Sequence, residues 1–470
     1  MIRCLAGWVT FLGATRITCK AVPHSCVVDA LIYACRKEVP LLPQFLHDFV
    51  VGIDVASEFS YVAMLAPDGQ LIRKPFRIDH NPAGFQHLLN ILKIEEERLN
   101  SRPIFFVEST GIYHLPLFFF LRSNDLKGFV LNPLCVHSTK NFDIRKVKND
   151  KKDAVAIAEL AKTKDVKVSL VPDIPILSLR MLTREYFALA DNLTDCKLRL
   201  SNDLYLLFPG FREVFKNPFS AGALTILKEY PSLQSLQTAD LPKLASTVSK
   251  VARRSYGWAE SKLRKLFEYA VMAESMGLAS MALEEKLRIQ IQTIENLEAA
   301  MAKIESNIRQ HIQSDSFPKE FRNHIDLLDA MPGIGFLSAV TLIAEIGEFS
   351  LFKYPKAFAA FFGVDPTVKE SGKFKGDRIH MSKRGTRLGR RILFTIAMAS
   401  IRKTKTRAPI NPVLKAYYEA KTVGKKKKVA LGAVMHKVLH YIFAVLRDQK
   451  PYECRLPEDH RLHHMANPAA

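Results

Sequence analysis

The sequence predicts an α/β domain on the N-terminal side, a helical middle region and a mostly helical C-terminal domain. Three observations support this division. Short β-branched runs alternate with helical patterns between residues 49 and 170, heptad spacings follow as far as residue 320, and a strongly basic stretch then carries a Gly-x-Gly turn. We expect domains at 49–170, 171–320 and 321–450, with an atypical extension at 1–48 and a tail at 451–470.

The first domain is predicted from the period of its apolar residues. Alternating or continuous apolar runs of four to eight residues indicate strands, and spacings of three and four indicate helices. The predicted elements are a strand pair at Phe49 to Ile53 and Tyr61 to Leu65, a helix at Pro82 to Asn100, a strand at Ile104 to Val107, a helix at Tyr113 to Ser123 and a strand at Gly128 to Leu131. Strands mixed with helices in this order predict a layered α/β domain.

Two heptad seams define the middle region. One runs from Leu179 to Leu200 and the other from Leu287 to Ile308, each with apolar residues three and four apart. The two seams predict either an intrachain helical hairpin or a coiled coil between subunits. The span between them, about Pro209 to Ser280, is expected to be a small helical insertion.

The C-terminal domain opens with a Gly-x-Gly turn. Gly333 and Gly335 precede a helical pattern, so the backbone N–H groups of the turn would face outward at the positive end of a helix. Such a turn is weak evidence alone, but the basic stretch that follows favours a helix-hairpin-helix-like element that binds the DNA backbone.

Positive charge is concentrated in this domain. The chain has a formal charge of +21, and residues 369–428 contain 19 Lys and Arg against three acidic residues. A basic stretch of this length favours a nucleic acid as partner, although short charge runs are usually solvated surface.

The cysteines and the apolar runs of the sequence indicate the cellular compartment in which we expect the protein. Seven cysteines form no CxxC pair and no zinc spacing, and four of them lie in the first 48 residues, which suits a reducing cytoplasm. No run appears long enough and free enough of charge to cross a bilayer, so we expect no membrane partner.

Four carboxylates are candidates for a metal site. Asp54 and Glu108 each follow a predicted strand, and Asp150 and Asp153 are three residues apart, on one face of a predicted helix. Hard divalent ions prefer oxygen ligands, so Mg²⁺ or Mn²⁺ is the expected cofactor. The neighbouring Lys148, Lys151 and Lys152 would help a polyanion approach the acids. The alternative is that the two aspartates cap a helix, a role that Asp54 and Glu108 do not share.

These motifs resemble a known family. Gly52 to Ala56, Val107 to Gly111 and Lys148 to Ala154 resemble the DEDD transposases of bacterial insertion sequences, family one-ten and its relatives. Met331 to Gly347, and the segments around Asp365, Ser371 and Ser382, resemble the serine-bearing domain of that family. The resemblance implies an RNase-H-like domain related to Holliday-junction resolvases, with the four acids as metal ligands. It also implies a recombinase that a structured noncoding RNA guides on DNA.

By the same resemblance Ser382 is the nucleophile. A serine hydroxyl needs a proton acceptor and nearby positive charge to attack phosphorus. The charge is expected from the basic side chains that follow it, which are Lys383, Arg384, Arg387, Arg390 and Arg391. Otherwise Ser382 caps a helix near Thr386 or contacts phosphate passively.

Three functions remain open on the sequence. The first is a serine-dependent recombinase acting as a homodimer or homotetramer, because recombination must hold two duplexes. The second is a metal-dependent endonuclease or junction resolvase in which water attacks. The third is a nucleic-acid-binding protein whose acids are structural.

Overall fold

The fold is taken from a computed structural model. It describes residues 44–108, 111–131, 150–163, 168–169, 171–272, 281–367, 370–371, 374–375, 380–404, 406 and 408–455. Lys148, most of the 1–48 extension and most of the tail therefore lie outside the described residues. The chain divides into two compact units, with the boundary between Val171 and Pro172.

The first unit is a mixed six-stranded sheet with helices on both faces. The strands lie in the order β3-β2-β1-β4-β5-β6, with β1–β2–β3 antiparallel and β1–β4–β5 parallel. The strands are β1 (Phe49–Val55), β2 (Phe59–Leu65), β3 (Phe76–Asp79), β4 (Pro103–Glu108), β5 (Lys127–Leu131) and β6 (Val168–Ser169). The helices are α1 (Pro82–Leu99), α2 (His114–Ser123) and α3 (Asp150–Thr163). This mixed sheet with helices on both faces confirms the prediction of a layered α/β domain.

Alternate residues of the central strands face different helices. Phe49, Val51 and Ile53 of β1 pack in one core with α1 and α2, whereas Val50 packs with α3 on the other face. Because side chains alternate along a strand, every second residue of β1 and β4 points toward α3. The layer order is therefore α1 and α2, then sheet, then α3.

The second unit is mostly helical. It begins with α4 (Ile174–Leu207), continues through five shorter helices and returns along α10 (Met281–Gln313). The shorter helices are α5 (Phe211–Val214), α6 (Ala221–Glu229), α7 (Leu233–Leu236), α8 (Leu241–Ala252) and α9 (Tyr256–Met272). The C-terminal part contains α11 (Lys319–Asp329), α12 (Phe336–Ile346), α13 (Pro355–Phe362), the strands β7 (Glu370–Ser371) and β8 (Phe374–Lys375), α14 (Arg387–Ile401), α15 (Pro412–Thr422) and α16 (Lys427–Asp448).

The two heptad seams pair within the chain. Helices α4 and α10 run antiparallel, since Lys197 pairs with Glu298 at 2.7 Å and, further along, Lys286 pairs with Asp203 at 2.9 Å. One end of the hairpin packs with α5 to α9 in a core of its own, and the other end packs with the C-terminal helices. Of the two arrangements that the sequence left open, the structure contains the intrachain hairpin.

The Gly-x-Gly turn joins α11 to α12. Gly333 has φ 98°, and a methyl group there would lie 2.2 Å from Ser400 Oγ, so packing on α14 already requires a glycine. Gly335 is the N-cap residue of α12, with open space at its Cβ position. Helices flank the turn as expected, while its identity as a DNA-binding helix-hairpin-helix stays a prediction.

One helix among the described residues, α16, is long and apolar enough to cross a membrane by length and composition. The expectation that no run has such a length and composition is therefore wrong for Lys427–Asp448. The apolar side chains of α16, including Val434, Val438 and Ile442, are buried in the C-terminal core. A central core helix needs the same composition, because most of its surface faces other helices.

Candidate active site

Asp54 and Glu108 lie at the ends of neighbouring parallel strands. The last paired residues of β1 and β4 are Ile53 and Val107, and each acid is the next residue along its strand. Adjacent strands are about 4.8 Å apart, so the two backbones are close at this point. Asp54 is four residues after Val50 and Glu108 is two residues after Phe106, so both acids lie on the same face of the sheet as these residues, toward α3. Asp54 is half-buried and Glu108 is buried.

Gly52 allows α3 to approach β1 closely. A methyl group at Gly52 would lie 2.3 Å from the backbone oxygen of Ala154 and 2.6 Å from the nitrogen of Ala158, distances that no side chain tolerates. Glycine is therefore the only residue that lets the helix backbone rest on the strand. Gly52 is two residues before Asp54 and shares its face of the sheet, so this contact brings the first turn of α3 toward the acids.

The first turn of α3 carries the other two acids. Asp150 and Asp153 are both half-buried and lie in that turn. Between them, the Lys151 ammonium lies 5.8 Å from the centre of the Tyr61 ring, and Tyr61 is the cross-strand partner of Asp54. The helix thus begins beside the strand end that bears Asp54. Lys151 and Lys152 are exposed, as expected for side chains that meet a polyanion.

Lys162 anchors the opposite end of α3. Its ammonium group donates to the carbonyl oxygens of Leu46 at 2.8 Å and Asp48 at 2.7 Å, just before β1. Burial lowers the pKa of Lys162, and the charges of Asp48 and Asp68 partly oppose this shift. With Lys162 at the start of β1 and Asp150 near its end, α3 runs antiparallel to the strand.

The chemistry of the four acidic side chains suits a divalent cation. All are hard oxygen donors, and their elements converge on one edge of the sheet. In the described part of the chain, however, no three potential ligand side chains lie close enough together to form a metal-binding group. Acidic residues in a first helical turn also interact favourably with the helix dipole, which is the structural alternative for Asp150 and Asp153.

Ser382 lies in a loop that runs alongside the segment after α13. Its hydroxyl donates to Asp365 Oδ1, and its backbone N–H donates to the Asp365 carbonyl at 2.9 Å. An isolated bridge between Pro366 and Met381 continues this antiparallel contact. Two interactions therefore join Ser382 to a single aspartate.

Close backbone contacts hold the Ser382 loop in place. Lys383 has φ 54°, an uncommon left-handed conformation for a residue with a side chain, and its N–H donates to Gly363 at 3.0 Å. A methyl group at Gly385 would lie 1.9 Å from the Phe361 carbonyl oxygen. Ser382 is thus presented by a loop that has little room to shift.

The basic side chains after Ser382 have different surroundings. Lys383, Arg384 and Arg387 are exposed. Arg390 is half-buried and donates to the carbonyls of Phe362 at 3.2 Å and Gly385 at 2.7 Å, which ties the Ser382 loop to α13. Burial, followed by the charge of Arg387, lowers the pKa of Arg390.

Arg391 pairs with Asp191 of α4 at 2.7 Å. The sequence predicted all five basic residues as nucleic-acid contacts. Arg391 is exposed like Lys383, Arg384 and Arg387, but its guanidinium, like that of Arg390, has a partner within the fold.

Two acidic residues near Ser382 were not singled out as site residues from the sequence. Asp365 lies within one of the motifs that carried the family resemblance, so the sequence did contain a signal that it belongs near Ser382. Glu345 had none, because it lies in an apolar stretch of α12 and its contacts with Arg184 and Thr386 are distant in sequence.

Family models match two separate parts of the chain. A family model for the DEDD transposase domain of IS110 matches residues 51–209, and the model described as "Transposase IS116/IS110/IS902 family" matches residues 325–419. Together they match more than half of the chain.

The chain is also similar to individual proteins. It is 25% identical over 316 residues to an insertion element IS110 protein of Streptomyces coelicolor, covering 66% of this chain and 73% of that protein. It is 30% identical over 139 residues to the pilin gene-inverting protein of Moraxella bovis, covering 30% and 42%.

Among solved structures, RuvC of T. thermophilus in complex with a Holliday junction substrate matches 26% of this chain and all of RuvC, at 12% identity. The TM-score is 0.20, too low to support an argument.

The two family models lie in the order that the motifs predict, one over the acids and one over Ser382. The chain belongs to the IS110 family of DEDD transposases, enzymes that act on DNA.

Proposed function

We propose that this transposase cuts and rejoins DNA strands with Ser382 as the nucleophile, assisted by a divalent metal at Asp54, Glu108, Asp150 and Asp153. The observation that carries the proposal is that the elements bearing the four acids meet at one end of β1. Asp54 and Glu108 lie at the ends of adjacent parallel strands, on the face toward α3. Asp150 and Asp153 lie in the first turn of α3. Structural capping accounts for the aspartates of α3 but not for a buried Glu108 at a strand end.

The metal would be held by carboxylate oxygens of these four residues. A bound Mg²⁺ or Mn²⁺ ion supplies Lewis acidity toward a phosphodiester and neutralises charge on its oxygens. The protein supplies positioning, because Gly52 and Lys162 fix α3 along β1 at both ends. Lys151 and Lys152 reduce the repulsion between the acids and an approaching phosphate.

Asp365 is the proton acceptor in the serine step. The Ser382 hydroxyl loses its proton to the carboxylate that already accepts its hydrogen bond, and Ser382 Oγ forms a bond to phosphorus. One phosphorus–oxygen bond to deoxyribose breaks, and the leaving oxygen takes up a proton as a hydroxyl. A strand hydroxyl then attacks the serine phosphodiester and restores the DNA link without any other energy source.

The adduct experiment tests the nucleophile. Full-length protein is incubated with DNA that carries the ends of its element, and covalent complexes are resolved in denaturing gels. Ser382→Ala should abolish the adduct, whereas Ser350→Ala, an exposed serine of the same unit, should retain it. Cleavage by Ser382→Ala without any adduct would indicate water as the nucleophile. Loss of the adduct in Ser371→Ala, with its retention in Ser382→Ala, would move the role to Ser371.

Metal binding is tested separately from turnover. Calorimetric titration with Mn²⁺ should show binding to the wild-type chain and none to the double variant Asp54→Asn, Glu108→Gln. Glu159→Gln is the matched control, because Glu159 is an exposed carboxylate further along α3. Equal Mn²⁺ affinity in all three proteins would contradict the metal assignment.

We further propose that a structured RNA guides this enzyme, that it acts as a dimer or tetramer and that it works in the cytoplasm on chromosomal DNA. The support is the family resemblance, together with a basic C-terminal stretch able to bind RNA and DNA phosphates. Sequencing of RNA that copurifies with the chain should recover one noncoding segment that adjoins its gene. Light scattering on the same preparation gives the number of chains, and a monomer would contradict the proposed assembly.

A further inference from the structure

A cleft of about 700 Å³ lies within the second unit, between α4 and the first turn of α14. Its lining combines arginines with apolar side chains and a single acid. The lining residues are Arg184, Phe187, Ala188, Asp191, Thr386, Arg387, Leu388 and Arg391. Thr386 is four residues after Ser382, so the cleft adjoins the serine loop.

A buried carboxylate fixes both walls of this cleft. Glu345 accepts two hydrogen bonds from Arg184 of α4, at 2.7 and 3.1 Å, and a third from Thr386 Oγ1 at 2.6 Å. Burial would raise the pKa of Glu345, but these hydrogen bonds and the charges of Arg184 and Arg180 lower it overall. Glu345 is therefore a carboxylate, and it holds the Arg184 guanidinium in one orientation while 58% of that side chain stays exposed.

The other two arginines of the lining, Arg387 and Arg391, have different surroundings. Arg391 lies over the Phe187 ring, with 5.1 Å between its guanidinium carbon and the ring centre, and pairs with Asp191. Arg387 is exposed at the start of α14. The lining thus contains three arginines beside an aromatic ring, and two of the three are paired with a carboxylate of the fold.

These features together suit an unpaired nucleotide. Arginines contact phosphate, and aromatic and guanidinium planes stack on base faces that are accessible only when a base has left the duplex. The volume lies within the range of about 300–1,000 Å³ typical of small-ligand sites. We propose that this cleft binds an unpaired nucleotide of the DNA substrate beside the serine loop. The proposal requires that DNA is the substrate, and it holds whether or not Ser382 is the nucleophile.

Fluorescence anisotropy with the full-length protein tests the cleft. The probes are a labelled oligo(dT), a labelled hairpin duplex and a labelled oligo(U), all of matched length. We expect Arg387→Gln to weaken oligo(dT) binding about tenfold and to lower the slope of log affinity against log salt by about 0.7, the value for one phosphate contact on a single strand. Phe187→Leu should also weaken oligo(dT) binding about tenfold through lost stacking, with the salt slope unchanged.

Arg447→Gln is the matched control. Arg447 is an exposed arginine of the same unit whose partner is its neighbour Asp448, so the variant removes the same charge away from the cleft. Equal losses in Arg387→Gln and Arg447→Gln would show a general charge effect and overturn the proposal. Equal losses on oligo(dT) and on the duplex would overturn it as well, and so would tighter, Arg387-dependent binding of oligo(U).

The readouts separate this proposal from that of the nucleophile. Binding of oligo(dT) is measured without cleavage, so Ser382→Ala should bind the probe as the wild type does. Thermal unfolding of Phe187→Leu shows whether the fold survives, and a folded variant with wild-type oligo(dT) affinity contradicts the stacking role.

Discussion

The candidate site residues fall into an acidic half in the first unit and a serine half in the second, and each half is held in place by different means. The acids stand on strand ends and on the first turn of a helix, where sheet pairing fixes Asp54 and Glu108 relative to each other. Ser382 stands on a loop, and its position depends on contacts with Gly363 and Asp365 from a segment about twenty residues earlier. The acidic half therefore depends on the layer packing of a domain, whereas the serine half depends on a few local backbone contacts.

The two halves therefore differ in the contact on which each depends most. In the first unit the critical contact is between a helix and a sheet, at Gly52. In the second it is between two loop segments, at Gly385. Matched glycine substitutions at these two positions compare the two kinds of support directly.

The largest effect is expected from Gly52→Ala. The added methyl group would meet the Ala154 oxygen at 2.3 Å, so α3 must move away from β1. Overpacking of this kind costs roughly 1–3 kcal/mol of unfolding free energy. Because a shift of about 1 Å can cost about a hundredfold in rate, we expect DNA cleavage to fall by about that factor.

Gly257→Ala is the control for this substitution, since no atom lies within 4 Å of the added methyl group. Denaturant unfolding and a cleavage assay measure both consequences. Wild-type cleavage by Gly52→Ala would show that the position of α3 does not matter to the acids.

A smaller effect is expected from Gly385→Ala. The new methyl group would approach the Phe361 oxygen to 1.9 Å, and the movement that this forces concerns one loop rather than a whole helix. We expect cleavage to fall about tenfold, less than for Gly52→Ala because only the Ser382 loop must move, while Mn²⁺ binding in the first unit stays unchanged. If Gly385→Ala lost Mn²⁺ binding as well, the two halves would not be supported independently.

The smallest effect on cleavage is expected from Glu345→Gln, whose effect is on stability and depends on pH. Removing one partner of a buried ion pair costs roughly 3–5 kcal/mol, and we expect about 2 kcal/mol because Arg184 is more than half exposed. The pKa of Glu345 is lowered in the folded chain, so its contribution is complete above the ordinary value of 4.5 and is lost as the pH falls below it.

Denaturant unfolding of wild-type and Glu345→Gln proteins at pH 7 and at acidic pH measures this difference. It should shrink at the lower pH. A difference that stayed constant down to acidic pH would mean that the Glu345 carboxylate charge does not stabilise the fold.

Much of the first unit was predictable because its signals are local. Alternating apolar residues fix which side of a strand is buried, so the positions of Asp54 and Glu108 at strand ends followed from β1 and β4 alone. The short β3 was missed, since Phe76–Asp79 has only four residues and little alternation. The role of Gly52 was also missed, because the contact that requires it comes from Ala154 and Ala158, about a hundred residues later.

The serine side was less predictable because its contacts join distant segments. Nothing in the local pattern around Glu345 indicates Arg184 or Thr386 as partners. The basic side chains after Ser382 read alike in the sequence, yet Arg390 is used inside the fold while Arg387 is exposed. Only tertiary structure separates charges that hold a loop from charges that face solvent.

The antiparallel pairing of α4 and α10 has a consequence for how this family can change. The chain leaves the C-terminal core along α4 and returns to it along α10, so everything from α5 to α9 is inserted at one end of a two-helix stalk. Packed helices are about 8–10 Å apart, a gap that a short turn spans. The stalk can therefore be shortened, or its distal helices exchanged, while the serine loop and its core keep their sequence and geometry.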